Sequence, residues 1–221
     1  MPKNNFYTQL RQALETESAF GITEVPGVSL SRKMTSTKAR ALASLQEEFK
    51  DCQMCPLGQT RTKLVFGSGN PEAELMFVGE APGFDEDLKG LPFVGSAGQL
   101  LTKIIEAMKL TRETVYIANC LKCRPPNNRN PLPTEIITCD PILKRQIDII
   151  RPKVICALGK FAAQTLLNST EPIGRLRGRF FEMSGIKVLP TFHPAYLLRN
   201  PADKKIVWQD MQLIMKELKG D

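Results

Sequence analysis

The sequence contains a single histidine, His193, among its 221 residues. Metal sites built from several histidines, and mechanisms that need two imidazoles, are therefore excluded. No apolar stretch approaches the roughly 18 residues that a membrane-spanning helix requires. The first 20 residues carry charges and amides where a secretory signal would have an apolar segment, so we expect a cytoplasmic protein.

The composition indicates a folded, basic chain. Hydrophobic residues make up 42 % and charged residues 24 %, as in chains with a globular core. The 30 lysines and arginines exceed the 23 acidic residues, and the net charge is +7. This balance excludes an acidic disordered chain and permits a polyanionic partner. Six cysteines in a reducing compartment indicate metal binding, catalysis or burial rather than disulfides.

The chain is predicted to divide at about residue 40. Residues 1–40 are typical of a short amphipathic helix, over 1–20, followed by a basic flexible linker. Residues 41–221 are predicted to form one domain, in which strand-like and helix-like segments alternate. Such alternation predicts an α/β fold, with three α/β/α layers around a central, mostly parallel sheet. The predicted strands cover 75–79, 115–120, 153–159 and two segments flanking Ser184-Gly185; the predicted helices cover 96–110, 136–150 and 160–167.

Polar motifs follow three of the predicted strands. Residues 79–83 (GEAPG) follow the first strand, Asn119 ends the second, and His193 follows the last. Ligands of parallel sheets bind beyond the carboxyl ends of the strands. We therefore expect these three segments to meet at one edge of the sheet.

Cysteine spacing suggests a metal site. A predicted helix starting near Ala39 leads to a CxxC pair, and two more cysteines follow at wider spacing: Cys52, Cys55, Cys123 and Cys139. Four thiolates can bind zinc or an iron–sulfur cluster, and the wide second pair favours a cubane cluster. The alternative is that all four are simply buried. Cys120 and Cys156 lie within predicted strands, so we expect buried, inert thiols there.

These motifs together resemble family 4 uracil-DNA glycosylases, the iron–sulfur branch of the uracil-DNA glycosylase superfamily. The resemblance rests on Cys52 and Cys55, on GEAPG at 79–83, on Asn119 with the following KCRPP, and on HPAYLLR at 193–199; it covers residues 45–215. It implies a [4Fe–4S] cluster on the four cysteines. It also implies a DNA repair enzyme that hydrolyses the N-glycosidic bond of deoxyuridine, releasing uracil and leaving an abasic site. Since no lysine of the motifs is an evident nucleophile, we expect a monofunctional enzyme.

The resemblance also implies roles for individual residues. Phe93 would stack on the extruded uracil, and Asn119 would bind its O4 and N3–H edge while rejecting cytosine. His193 would donate a hydrogen bond to O2, where negative charge develops as the base leaves. Gly79, Glu80 and Ala81 would contact uracil through the backbone.

The water-activating group is not evident from the sequence. Ala81 stands where family 1 enzymes of the superfamily carry an aspartate, and its methyl group cannot position water. Glu80 would either shape the pocket against the thymine methyl group or act on the water and the cationic sugar. Glu86 and Asp87 are candidates for supporting carboxylates, with solvated loop acids as the alternative.

Basic residues flank the expected site and predict DNA contacts. Residues 119–131 hold three basic residues and no acid, and residues 172–205 carry a net charge of +5. Phosphate binding by such stretches is independent of base sequence. A leucine could act as the wedge that enters the duplex where the base leaves. The candidates for DNA contact are Lys122, Arg124, Arg129, Leu197, Leu198 and Arg199.

Other interpretations stay open at this point. One is a related glycosylase of broader specificity that acts on deaminated purines. Another is a non-enzymatic DNA-binding subunit that kept the fold, and a third replaces the cluster with zinc. We expect a monomer, with residues 1–40 as a possible docking segment for a replication or repair partner.

Overall fold

The computed structural model describes residues 36–220, so the predicted helix over residues 1–20 and most of the linker lie outside the described residues. The helices are α1 (Thr37–Phe49), α2 (Leu57–Thr60), α3 (Phe84–Lys89), α4 (Ser96–Ala107), α5 (Pro133–Ile150), α6 (Lys160–Leu167), α7 (Ile173–Leu176), α8 (Pro194–Arg199) and α9 (Lys204–Lys219). The strands are β1 (Ser68–Gly69), β2 (Leu75–Gly79), β3 (Tyr116–Asn119), β4 (Val154–Leu158), β5 (Phe181–Met183) and β6 (Ile186–Thr191). Short 3₁₀ turns cover Pro126–Asn128 and Pro201–Asp203.

One six-stranded sheet runs through the molecule in the order β1-β3-β2-β4-β6-β5. The four inner strands are parallel, and the two edge strands are antiparallel to their neighbours. Gly79 pairs with Asn119 where β2 and β3 end, and Leu158 pairs with Thr191 where β4 and β6 end. The carboxyl ends of the inner strands therefore lie along one edge, and the predicted mostly parallel sheet is confirmed.

Helices cover both faces of this sheet. On one face α1, α5 and α6 pack through residues such as Leu45, Leu143 and Ala163. On the other face α4 and α9 pack through Ile105 and Met211. Every residue of β2 and β4 is buried, because a parallel strand covered on both faces must be apolar along its whole length. The predicted three-layer α/β/α arrangement is confirmed.

Local sequence signals explain several element boundaries. Pro133 begins α5 three residues before the predicted start, because proline suits the first turn of a helix. Ser184 and Gly185 both have positive φ angles, 52° and 77°, as the tight turn of a β-hairpin requires. Helix α1 begins at Thr37 behind the N-cap Ser36 and leads into the Cys52 turn as predicted. The long helix α9 was not predicted.

Across residues 36–220, none of the helices is long and apolar enough to cross a bilayer.

Candidate active site and cysteine cavity

A cleft of about 490 Å³ lies at the carboxyl ends of the parallel strands. We call it the edge cleft. It is lined by five of the six residues predicted to contact uracil: Glu80, Ala81, Phe93, Asn119 and His193. The structure therefore brings together the segments after β2, β3 and β6, as the position of the motifs predicts.

Asn119 presents an unmet hydrogen-bond acceptor to this cleft. Its side chain is 2 % exposed. Among residues 36–220, its Oδ1 is the one buried side-chain polar atom without a hydrogen-bond partner. Leaving such an atom unpaired costs about 1–3 kcal/mol. A ligand that brings an N–H group to this point would recover that free energy.

Gly79 leaves the space in which that acceptor lies. A Cβ atom at this position would be 2.4 Å from Asn119 Oδ1 and 2.5 Å from Phe93 Cζ. Any side chain would therefore displace both the amide and the ring. The main-chain oxygen of Gly79 accepts a hydrogen bond from the Cys120 amide at 2.9 Å. This carbonyl therefore takes part in the pairing of β2 with the chain that continues β3.

Phe93 is 6 % exposed and has a positive φ angle of 53°. Its ring centroid lies 5.6 Å from that of His193, with the planes tilted by 32°. A non-glycine residue in this conformation stores about 1–3 kcal/mol, which the surroundings must offset. Arg112 does so in part, because its guanidinium donates to the carbonyls of Pro92 and Phe93 at 2.7 and 3.0 Å.

His193 is held as a neutral imidazole with one defined tautomer. Its Nδ1 accepts a hydrogen bond from the Ala195 amide at 3.1 Å, which caps α8. An accepting Nδ1 places the proton of the neutral ring on Nε2. Burial lowers the pKa of His193 to about 4, and the charge of Arg199 adds to the effect. Near neutral pH the ring is therefore an uncharged donor through Nε2.

Glu80 lies directly after β2 and lines the edge cleft. Burial raises the pKa of its carboxyl group above the usual value. Its main-chain oxygen accepts from the Leu121 amide at 3.0 Å, which fixes the backbone beside β3. The residue is thus carried on a rigid support beside the cleft.

Glu86 and Asp87 hold the loops around the cleft through backbone hydrogen bonds. Glu86 Oε1 accepts from the amides of Val94 and Gly95 at 2.7 and 2.8 Å, and its Oε2 accepts from Gly83 at 3.1 Å. Asp87 is 4 % exposed and accepts from the Thr62 amide. The structure therefore favours the supporting role over that of solvated loop acids.

Two of the three predicted DNA-contact arginines lie at the cleft. Arg129 and Arg199 line it. Arg129 also forms an ion pair with Glu135 at 2.6 Å. Arg124 lies over the exposed ring of Phe84, 5.0 Å from its centroid. These positions suit contacts to a polyanion that covers the cleft.

Two predicted DNA contacts are wrong. Lys122 is 1 % exposed, because its side chain folds into the core instead of pointing from the basic loop. Leu197 is also 1 % exposed and packs in the core between sheet and helices. Its neighbour Leu198 is 46 % exposed and stays a candidate for the wedge.

The four predicted metal-ligand cysteines line one small cavity of about 20 Å³, which we call the cysteine cavity: Cys52, Cys55, Cys123 and Cys139. They come from the turn after α1, the loop after β3 and the middle of α5. Within residues 36–220, no three histidine, cysteine or acidic side chains converge closely enough to hold a single metal ion.

The surroundings of the cysteine cavity suit bound thiolates. Arg61 Nη1 donates to Cys123 Sγ at 3.1 Å and to the Cys52 carbonyl at 2.7 Å. Leu64 and Ile142 complete an apolar lining. Burial raises the pKa of Cys139 to about 11, so its thiolate would need a metal or a cation nearby. Four cysteines, a positive donor and an apolar wall fit a [4Fe–4S] cluster.

The other two cysteines are buried, as predicted. Cys120 is 1 % and Cys156 is 0 % exposed, and they lie on opposite faces of the sheet. Burial raises the pKa of Cys120 to about 12. Both thiols are therefore protonated at neutral pH and lie apart from the cysteine cavity lining.

Two residues near the cleft escaped the sequence analysis. Asn128 lines the cleft with a positive φ angle of 53°; the Asn127-Asn128 pair is a signal for this conformation, since asparagine tolerates it. Arg112 supports Phe93 from 19 residues away in the chain. No local pattern could have linked those two residues.

Comparisons with known proteins agree with this geometry. The family model of the uracil DNA glycosylase superfamily matches residues 66–212. The chain is 45 % identical to the type-4 uracil-DNA glycosylase of Saccharolobus solfataricus, over 79 % of this chain and 85 % of that protein. It is 48 % identical to the Archaeoglobus fulgidus type-4 enzyme, over 73 % and 85 %. With the Thermotoga maritima type-4 enzyme the identity is 44 %, over 80 % and 94 %.

Proposed function

The chain belongs to the uracil-DNA glycosylase superfamily, within its type-4 branch, and on that premise we propose how it excises uracil from DNA. It hydrolyses the N-glycosidic bond of deoxyuridine and leaves free uracil and an abasic site. The observation that carries the assignment of the site is the unmet acceptor of Asn119, which faces a cleft that Phe93 and His193 also line.

Recognition of uracil is assigned to Asn119 and Phe93. Asn119 Oδ1 would accept from uracil N3–H, and its Nδ2 would donate to O4. Cytosine presents the reversed pattern at these two positions and would leave buried polar groups unpaired. The Phe93 ring would supply a stacking surface that suits any pyrimidine. Specificity therefore comes from the amide, and affinity comes in part from the ring.

Departure of the base is assisted by His193. As the glycosidic bond breaks, negative charge develops on uracil O2. The Nε2–H of a neutral imidazole would donate to that oxygen, and a donor in place before the reaction needs no rearrangement. The low pKa of His193 supports this assignment, because the ring is uncharged at neutral pH.

We assign Glu80 to the water and to the cationic sugar. Glu80 lines the cleft and carries a carboxyl group, whereas the methyl group of Ala81 cannot hold water. A carboxylate there would stabilise the positive sugar and orient the attacking water. No lysine lines the cleft within the described residues, which supports hydrolysis without a Schiff-base intermediate.

We further propose that Cys52, Cys55, Cys123 and Cys139 hold a [4Fe–4S] cluster. When bound, the cluster supplies four metal–thiolate bonds that brace the chain. It would tie the turn after α1 to the loop after β3 and to α5. Of these segments, the loop after β3 directly follows Asn119, the residue assigned to uracil.

DNA would approach over Arg124, Arg129 and Arg199, with Leu198 as the wedge. A monomer acting on cellular DNA in the cytoplasm stays our prediction. So do the boundary at residue 40 and a partner for residues 1–40, since residues 1–35 lie outside the described residues.

Excision from a labelled oligonucleotide with one uracil tests this function, with thymine, hypoxanthine and cytosine oligonucleotides beside it. We expect uracil to be excised far faster than thymine, hypoxanthine or cytosine. His193→Ala should lower the single-turnover rate by roughly 10²–10³-fold. Asn119→Asp should extend activity to cytosine, because a carboxylate accepts from the amino group of that base.

Asn168→Asp makes the same chemical change at an exposed residue and should behave as the unchanged protein. Absence of excision from every oligonucleotide, in protein that carries its full iron content, would overturn the proposed activity. Excision that survives in His193→Ala would overturn the role of the imidazole alone.

A further inference from the structure

Lys122 is one of the largest fully buried side chains of the described chain. It is 1 % exposed and lies between Asn119 and Cys123 in the sequence. Lysine is almost never fully buried unless it is paired. The sites described above give no role to this ammonium group.

The Lys122 head group connects two elements by hydrogen bonds. Its Nζ donates to the Asn119 main-chain oxygen at 2.8 Å and to Gln146 Oε1 at 2.6 Å. Gln146 is itself buried, and its Nε2 donates to the Phe66 carbonyl at 2.9 Å and toward Tyr116 Oη at 3.3 Å. Gln146 belongs to α5, the helix that carries Cys139. Lys122 therefore joins the end of β3 to the helix of the cysteine cavity.

The hydrogen-bond partners of Lys122 are neutral. Burying an ammonium group without a negative partner costs several kcal/mol. Among the described residues, Lys122 forms no ion pair with a carboxylate, and its two hydrogen bonds go to the Asn119 carbonyl and to Gln146. Lys122 also lines the cysteine cavity. Thiolates bound to a cluster would supply the missing negative charge.

We propose that Lys122 is a positioning residue that couples the loaded cysteine cavity to the uracil-reading amide of Asn119. The inference rests on the proposed function. Thiolates of the cavity hold the ammonium group, and the ammonium group holds the Asn119 carbonyl. The Asn119 side chain then keeps one orientation toward uracil. Lys122 itself does not touch the base.

Lys122→Met tests the coupling, because it removes the ammonium group and keeps an unbranched apolar chain. Lys122→Gln keeps a neutral donor and removes the charge. The matched control is Lys153→Met, since Lys153 is 59 % exposed at the opposite edge of the sheet. All variants are prepared with their cluster, and iron content and thermal unfolding are recorded for each.

The first readout is discrimination between bases. In Lys122→Met we expect the ratio of kcat/KM for uracil to that for cytosine to fall about tenfold, with iron content near that of the unchanged protein. Affinity for free uracil, measured by equilibrium dialysis, should fall by a similar factor. Lys122→Gln should lie between the two proteins, and Lys153→Met should match the unchanged protein.

The second readout does not depend on activity. Because two coupled sites stabilise each other, saturating free uracil should slow the release of iron to a chelator several-fold in the unchanged protein and in Lys153→Met. In Lys122→Met, saturated with uracil, that protection should disappear. A merely structural lysine would change the rate of iron release but not its response to uracil.

Unchanged discrimination and unchanged protection by uracil in folded, iron-containing Lys122→Met would overturn the inference. If that variant does not fold, Gln146→Glu decides in its place. A carboxylate at this position pairs with the ammonium group directly, so the protection of iron by uracil should weaken; full protection would overturn the coupling. If the unchanged protein neither excises nor binds uracil, the proposed function fails instead.

Discussion

The edge cleft and the cysteine cavity are built on opposite principles. The cleft measures about 490 Å³ and the cavity about 20 Å³. The cleft contains an unpaired buried acceptor on Asn119 and a strained backbone at Phe93. In the cavity, by contrast, the Cys123 thiol already accepts a hydrogen bond from Arg61. An open site with an unpaired hydrogen-bond acceptor suits a substrate that binds and dissociates. A closed site lined by thiols suits a group that remains bound.

This difference separates the expected consequences of substitution. Substitutions in the edge cleft should lower activity and leave the free energy of unfolding nearly constant, because polar groups of the cleft form hydrogen bonds with the ligand and not within the protein. Changes in the cysteine cavity should lower stability first, because a cluster bound there would be part of the fold. The segment from Asn119 to Cys123 belongs to both sites. Substitutions in this segment should therefore lower both activity and stability.

The largest effect is expected at Gly79. In Gly79→Ala the new Cβ would lie 2.4 Å from Asn119 Oδ1 and 2.5 Å from Phe93 Cζ. These contacts are too short, so the Asn119 amide and the Phe93 ring would have to move. That displacement should lower the rate of single-turnover excision by about 10²-fold or more. Gly174→Ala is the matched control, because a Cβ there meets no atom within 4 Å. Excision by Gly79→Ala within threefold of the unchanged protein would contradict the placement of the base.

Cys139→Ala tests the other side of the comparison. Loss of a ligand that binds only the folded chain should lower the free energy of unfolding by about 3 kcal/mol or more, which corresponds to roughly 6–12 °C in Tm. Iron analysis and calorimetry measure both quantities. Cys156→Ala, buried on the other face of the sheet, should keep its iron and lose about 1 kcal/mol. Full iron content in Cys139→Ala would remove Cys139 from the ligand set.

The pH dependence of stability tests the neutral state of His193. Its folded-state pKa of about 4 lies below the 6.5 of a free imidazole. The unfolded chain therefore binds an extra proton between these values, and stability is lost as pH falls through that window. We expect His193 to contribute a loss of about 1–3 kcal/mol from pH 6.5 to 4.

Urea unfolding at several pH values, compared between the unchanged protein and His193→Asn, isolates this contribution. Asparagine is chosen because its Oδ1 can also cap α8 by accepting from the Ala195 amide. The difference in stability between the two proteins should grow in favour of the variant as pH falls. A difference that does not change with pH would show that the imidazole is not held neutral.

The smallest effect is expected at Arg112, which supports the Phe93 backbone from outside the cleft. Arg112→Met should lower kcat/KM by about tenfold, since a stacked base is worth about 1–3 kcal/mol and the ring would be loosened rather than removed. Arg175→Met, at a residue 76 % exposed, serves as the control. Steady-state kinetics on the uracil oligonucleotide measures this effect. An unchanged kcat/KM would mean that the Phe93 loop keeps its conformation without Arg112.

Much of the site could be predicted because its residues follow strands. A buried strand run such as 75–79 has a clear end, and the residue after it must lie at the sheet edge. The helical period alone could not show which of Leu197 and Leu198 is exposed on α8. The packing of that helix decides it, since Leu197 is buried and Leu198 is exposed. Lys122 misled the sequence analysis, because a lysine between basic neighbours is typical of a solvated loop. Its side chain turns back instead to Asn119 and Gln146.

The sequence by itself determined the layered α/β fold and the end of the sheet at which the polar motifs meet, because periodicity and strand ends are local properties of the chain. It also indicated, through spacing and resemblance, which four cysteines line the cysteine cavity. Only the tertiary structure decided that Gly79 makes room for the Asn119 amide, that His193 is neutral, and that Lys122 is buried. These features depend on contacts between residues far apart in sequence, such as Lys122 and Gln146, 24 positions apart. Burial and hydrogen-bond pairing at such contacts arise from packing, which no local pattern encodes.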